Sequence, residues 1–267
     1  MADALRVYRR LVGAQVRSQL QYRTSFALDF AGAFVIAFLD FLAVLIIFDN
    51  VPQLDGWTLH EVAFLYAASC VSFALVDVVI GHLDLFPNMI RQGTFDLVLV
   101  RPRGTLFQVV ASDFSLRKLG KALQGAAVFA FALGGLEVDW DAGRVAMTLV
   151  MVIAGALIFA AVWVAFATLA FWTVEGSEFT NAFTYGGNYL AQYPISIYGE
   201  WLRRFFAYVV PTAFVCYFPA LYILDKPDPL GLPEWLQFAS PAVALAAALV
   251  AGFVWQLAVR RYRSVGS

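Results

Sequence analysis

Three aspartates, Asp29, Asp40 and Asp77, stand inside long apolar runs of this sequence. An ionised carboxylate near the middle of a bilayer costs about 2.5–3.5 kcal/mol on insertion scales, so each is expected to face protein or water. Several roles fit such a group: a polar contact lining a passage or joining two subunits, a proton carrier, or a protonated or hydrogen-bonded carboxyl that only aids packing. Asp40 counts into the outer half of the first apolar run and Asp77 into the inner half of the second, so the two are not expected to meet within one subunit. Asp29 lies near the edge of its run. Aromatic side chains gather further along, at Phe171, Trp172, Phe179, Phe183, Tyr185, Tyr189, Tyr193 and Tyr198. Flat walls with hydroxyl tips suit amphipathic or cationic guests, and they also suit ordinary helix packing. Glu175 and Glu178 are three apart and share a helix face, but no nucleophile or metal ligand accompanies them, so they read as a solvated turn or helix cap. His60 and His82 stand alone, and Cys70 and Cys216 sit in apolar runs. No metal site is expected, and the thiols read as small buried side chains.

The elements that must carry these residues follow from composition. Of 267 residues, 61% are hydrophobic and 14% charged, against about 25% charged in soluble domains. The chain is therefore expected to be an all-α polytopic membrane protein, with residues 1–267 forming one transmembrane domain. A soluble enzyme and a disulfide scaffold are excluded, and 18 basic against 19 acidic residues leave no field for a nucleic acid. A spanning helix needs about 20 apolar residues. Such runs lie at Phe26–Phe48, Val62–Leu83, Leu119–Leu136, Val145–Val174 and Val243–Val259, and residues 179–224 hold at least one more, giving six spans. Basic residues collect before the first run, between Arg91 and Lys121, and at Arg260, Arg261 and Arg263. The intervening loops hold acids such as Asp49, Glu61, Glu137 and Asp225. The positive-inside rule then puts both termini in the cytoplasm. No cleavable signal peptide is expected in the first 25 residues, where Arg6, Arg9, Arg10, Arg17 and Arg23 interrupt any apolar block. Instead Leu5, Tyr8, Leu11, Val12 and Val16 fall at helical spacing, which suits an amphipathic helix over residues 1–25 lying in the interface with the lipid bilayer.

The cytoplasmic segment over residues 84–118 is too long for a tight turn. Pro87, Gly93 and Pro102 punctuate it, and a short apolar run, LVLV, lies between the last two. It reads either as a docking element for another protein or as an ordered loop packed on its own bundle.

At IRQGTFDLVLVRP the sequence resembles the coupling region of permease subunits in the ABC-2 family of ATP-binding-cassette exporters, through Arg91, Gly93, Thr94, Asp96, the run Leu97–Val100 and Pro102. A second stretch, YPISIYGEWLRRFFAYVVP, is similar to that family's Pro-Ile/Leu-Ser-x-x-Pro-Glu-x-Leu pattern, with Gly199 where a proline is common. The resemblance implies a coupling helix between spans 2 and 3, around Phe86 to Pro102. It implies a fifth span near Asn181–Tyr198, followed by two re-entrant half-helices over residues 201–224 that turn at Pro211. Hydropathy alone would instead make Phe205–Leu224 the fifth span. The resemblance further implies a bacterial cytoplasmic-membrane exporter, partnered by a second permease copy and a separate ATP-binding cassette ATPase. No G-x-x-x-x-G-K-[ST] loop occurs in the sequence, so ATP and magnesium are expected on that ATPase and no cofactor or catalytic residue on this chain. Asp40, Asp77, Tyr185, Tyr189 and Tyr193 are the candidates for a translocation path or subunit interface. Two rivals stay open on the residues alone: an ion-coupled secondary transporter using Asp40 and Asp77, and a membrane-embedded lipid-modifying enzyme.

Overall fold

A computed structural model describes residues 2–173, 176–228 and 231–263. The described residues form helices and connecting turns, with no strand. The helices are α1 (Ala2–Gln21), α2 (Arg23–Asn50), α3 (Leu59–Ile80), α4 (Phe86–Arg91), α5 (Asp96–Leu99), α6 (Thr105–Val110), α7 (Leu119–Gly135), α8 (Ala142–Ala167), α9 (Gly176–Ala191), α10 (Glu200–Tyr208), α11 (Tyr217–Ile223) and α12 (Ser240–Arg261). The chain is an all-α polytopic membrane protein.

Among the described residues, four helices are long and apolar enough to cross a membrane: α2, α3 with its continuation to Arg91, α8 extended to Phe171, and α12. The 17 residues of α7 and the 16 of α9 reach only ~24–26 Å at about 1.5 Å per residue. The apolar runs and the helices agree closely at α2, α7 and α12. The second helix ends three residues earlier than its apolar run, at Ile80, because the chain tightens into a 3-10 turn over Gly81–Leu85. Pro87 then lies in the first turn of α4, where its missing N–H leaves no bond unmade. The expected fifth span is also displaced. Its helix, α9, stops at Ala191, and Pro194 leads into a separate 3-10 turn over Ile195–Ile197.

The ends carry the local signals that fix them. Glu61 of α3 accepts from the Thr58 backbone N–H at 2.7 Å, and Asp141 accepts from the Arg144 N–H at 2.7 Å to start α8, as capping side chains do. Arg260 and Arg261 close α12, where the negative helix end favours them.

Burial shows which helix is central. The apolar window of α3 is 78% buried, against 17% for α2 and 22% for α12, so α3 is the hub and the other two are peripheral. It packs against α7, α8 and α9, while α12 lies on α8 and α2 on α7. The α2–α7 contact depends on Gly120, since a Cβ there would sit 2.2 Å from the Phe30 carbonyl oxygen; only a bare backbone permits that approach.

Between Glu200–Ala207 and Thr212–Ile223 the chain bends by 72°, with Pro211 at the break. The carbonyls of Ser196 and Tyr198, just before this bent pair, accept from the Arg203 guanidinium. Arg204 pairs with Glu200 one turn earlier. At the acidic end, Lys226 reaches Glu61 at 3.1 Å, the Gly56 carbonyl at 2.8 Å and the Trp57 ring face at 4.9 Å. At the basic end, α1 lies on the chain entering α7: Gln15 donates to the Ser112 carbonyl at 2.7 Å, and Gln19 accepts from the Leu116 N–H at 2.9 Å.

Candidate functional site

Two constructions emerge, a polar cavity inside the bundle and an aromatic platform at its basic end. The cavity, about 110 Å³, lies between α2, α3, α7 and α9. Asp40 of α2 enters it and accepts from the Tyr189 hydroxyl of α9 at 3.5 Å. Tyr66 of α3 donates to the Ala37 carbonyl at 3.0 Å, and its side chain lines the same space. Gln124 of α7 is fully buried against it. Neither its amide nitrogen nor its oxygen has a hydrogen-bond partner. Buried polar atoms without partners are rare in folded proteins.

Below the cavity, Asp77 is almost wholly buried and accepts from two ammonium groups, Lys118 Nζ at 2.6 Å and Lys121 Nζ at 3.3 Å. The lysines come from the start of α7, so the pair ties α3 to α7 and answers the burial cost of the carboxylate. Gly81 leaves the room: a Cβ there would sit 2.0 Å from Asp77 Oδ1 and 2.3 Å from Lys118 Nζ. Asp84, in the 3-10 turn, accepts from Trp163 Nε1 and from the Tyr185 hydroxyl, both at 2.9 Å. Tyr185 in turn lines the cavity.

Asp40, Tyr185 and Tyr189 thus come together around one space, and Asp77 joins them through Lys121, which also lines it. Tyr193 does not line the cavity; it lies past the end of α9, partly buried against the core. Asp29 sits apart, paired with Arg117 at 3.3 Å. Glu178 opens α9, and Glu175 lies outside the described residues.

The residues around Phe86 to Pro102 divide into an inner and an outer set. Phe86 is fully buried. Its ring centroid lies 5.5 Å from Phe95, 5.2 Å from Phe171 and 5.1 Å from Trp255, and Tyr262 closes the cluster 5.2 Å from Phe95. These contacts, edge-to-face except for the tilted Phe86–Trp255 pair, join α4 and the turn before α5 to the basic ends of α8 and α12. Trp255 also donates to Thr105 at 3.0 Å. Burial pushes the Tyr262 phenol above its ordinary value, and neighbouring Asp96 pushes the same way. Outward from the cluster, Arg91 donates to Asn88 at 2.6 Å, Thr94 donates to the Met89 carbonyl at 3.2 Å, and Gly93 adopts a φ of +68° that a side chain would strain. Leu97, Leu99 and Val100 are exposed, with Val100 at 81%, and Arg101, Pro102 and Arg103 continue that surface.

Asp84, Lys118, Lys121 and Gln124 were not singled out by sequence reasoning. The last three carried a legible signal, since polar residues spaced by three at the head of an apolar helix share one face. Asp84 carried none beyond being an acid among apolar neighbours.

Compared with known proteins, residues 34–266 match a family model described as ABC-2 family transporter protein. No curated protein and no solved structure matches the chain.

Proposed function

The chain belongs to the ABC-2 transporter family and is a membrane component of a transporter, and from that premise we propose that it is the permease subunit of an ATP-driven exporter. Membership of this family implies partnership with an ATP-binding cassette subunit. In this reading the basic end faces the cytoplasm of a bacterial cell, as the charge rule requires. Helices α2, α3, α7, α8, α9 and α12 serve as six spans, and Trp201–Leu224 dips back from the outer side as two half-helices. The 72° bend at Pro211 supports that arrangement over a straight fifth span, because each arm is too short to cross alone. Two permease copies and two ATPases make the working complex, with ATP and magnesium held by the ATPases. The cargo is an amphipathic compound moved outward, and Asp40, Asp77, Tyr185, Tyr189 and Tyr193 border its path.

The observation that carries the reading is the exposed apolar tip formed by Leu97, Leu99 and Val100, set among Arg91, Arg101 and Arg103. Apolar side chains on a water-facing segment favour a protein partner, and the arginines suit an acidic rim on it. Behind the tip, Phe95 and Val98 are buried, so force on it passes into Phe86, Phe171 and Trp255 rather than into a loose loop. From the same segment Asp84 reaches Tyr185 on the cavity wall. ATP-driven closure of the ATPases would thereby push on the ends of α8 and α12 and rock the bundle between two openings.

The test is affinity purification of the tagged chain from its native membrane. Wild type should recover a P-loop ATPase, and Leu97→Asp/Val100→Asp should lower recovery roughly tenfold or more, as removal of a central docking contact does. A wild-type chain recovered without any ATPase, or equal recovery with the double variant, would sink the reading.

A further inference from the structure

The cavity has features that a merely structural void would not need. It contains an acidic group with no cation against it: among the described residues no ammonium or guanidinium lies within ion-pairing distance of Asp40, whose recorded partner is the Tyr189 hydroxyl. The cation that lines the cavity, Lys121, is committed to Asp77 at 3.3 Å and stands 5.7 Å from the Tyr185 ring centre. Across Asp77, Asp84, Lys118 and Lys121 the formal charges cancel, which leaves the Asp40 carboxylate as the uncompensated charge facing this space. The cavity contains a fully buried carboxamide, Gln124, that lies beside the Tyr66 hydroxyl but makes no hydrogen bond of ordinary geometry through either polar atom. Aromatic side chains line it, Phe73, Tyr66, Tyr185 and Tyr189. At one side it meets the flank of the bundle, where the lining residues Ile36 and Tyr189 are 63% and 51% exposed.

We propose that this cavity binds the head group of a lipophilic protonated amine, entering sideways from the bilayer. The claim deepens the transport reading above and rests on it for the cargo role. The amine's charge pairs with Asp40, and the ring faces add cation-π attraction, which strengthens where water is excluded. One N–H donates to the Gln124 carboxamide oxygen, and the carboxamide N–H donates to an oxygen on the ligand, such as a hydroxyl one or two carbons away. A volume of about 110 Å³ accommodates several waters or one small head group, so the apolar body of the ligand stays in the mouth between α2 and α9. A carboxylate ligand is disfavoured by Asp40. A neutral apolar molecule would leave the fully buried Gln124 carboxamide without a partner and the Asp40 carboxylate without a counter-charge. An amine on a membrane lipid and an amine on a free lipophilic compound present the same head-group chemistry.

The experiment measures saturable binding of tritiated propranolol, a lipophilic amino alcohol, to the full chain in nanodiscs, with empty nanodiscs subtracted. One set of discs contains phosphatidylglycerol only and a second adds phosphatidylethanolamine. Wild type is expected to bind saturably in the first set, and Asp40→Asn to weaken binding by roughly ten- to hundredfold, the loss expected for a charged contact. Gln124→Leu, close in volume, should weaken it about three- to tenfold and carries the test should Asp40→Asn not yield a monodisperse protein. The uncharged N-acetyl derivative should compete at least about tenfold more weakly than the amine. Loss of binding in discs with phosphatidylethanolamine would assign the site to a lipid amine, and undiminished binding there to a free lipophilic amine; either supports the head-group assignment. Equal affinity in Asp40→Asn and Gln124→Leu, equal competition by the neutral derivative, or no saturable binding in phosphatidylglycerol discs would overturn it. Because Asp40 is remote from the exposed α5 tip, ATPase recovery tests the exporter reading separately. ATPase recovered with no amine binding overturns this inference alone.

Discussion

Gly81→Ala is an unusual case in which the direction of a stability change depends on a neighbouring carboxylate. The backbone at Gly81 is right-handed, with φ −59° and ψ −16°, so alanine fits it. Such a replacement ordinarily stabilises by about 0.4–1 kcal/mol through the unfolded chain. Here the new methyl would stand 2.0 Å from Asp77 Oδ1 and 2.3 Å from Lys118 Nζ. The colliding atoms are side-chain tips, so what yields is the ion pair and not the helix. A charge-assisted contact is worth about 1.5–3 kcal/mol, and since the Lys118 side chain keeps 28% exposure and can rehydrate, the lower part of that range applies. The net expectation is destabilisation by roughly 0.5–1.5 kcal/mol. In an Asp77→Ala background the collision with the carboxylate is gone, and Gly81→Ala should become neutral or stabilising by up to about 1 kcal/mol. Reversible unfolding of the four proteins in mixed micelles, followed by tryptophan fluorescence, measures both steps. A Gly81→Ala protein at least as stable as wild type, or the same effect in both backgrounds, would refute the reasoning.

Four further substitutions probe other joints. Phe86→Ala empties the centre of the aromatic cluster and should cost about 3–5 kcal/mol in the same unfolding assay, whereas Val100→Asp at the exposed tip should change stability by no more than about 0.5 kcal/mol. Lys226→Met removes the contacts to Glu61, Gly56 and Trp57 at the acidic end and should lower stability by about 1–2 kcal/mol, read as an earlier unfolding midpoint. Arg203→Met leaves the Ser196 and Tyr198 carbonyls without their donor and should cost about 1–3 kcal/mol; hydrogen exchange there should speed up ahead of the rest of the bundle.

The transmembrane frame was legible because apolar run length is a one-dimensional property. Phe26–Phe48 anticipated α2, and Leu119–Leu136 anticipated α7 to within a residue. Gly93 and Pro102 marked the true ends of short pieces because their backbone constraints act locally. The second apolar run continued to Leu83 while its helix stopped at Ile80, since the buried Leu83 extends the apolar pattern into the 3-10 turn over Gly81–Leu85 and run length does not register a change of helix type. Asp77 was recognised as needing a partner, but its lysines lie 41 and 44 residues away, and only the packing of α7 on α3 brings them near. Phe86 illustrates the opposite difficulty. It belonged to the expected coupling region by position, yet its side chain turns inward, and the outward surface falls to Leu97, Leu99 and Val100. Asp40, Tyr185 and Tyr189 were noticed one by one; that they border one space with Gln124 follows from the meeting of four helices.

The seat of α1 has a consequence for biosynthesis. Its glutamines bond to backbone groups 95 to 97 residues further along. Ribosomes add about 5–20 residues per second, so α1 emerges roughly 5–20 seconds before its docking partners exist. During that interval its arginines and apolar stripe have only the lipid surface to hold them. Helix α1 therefore reaches its final seat only after α2 and α3 have been made.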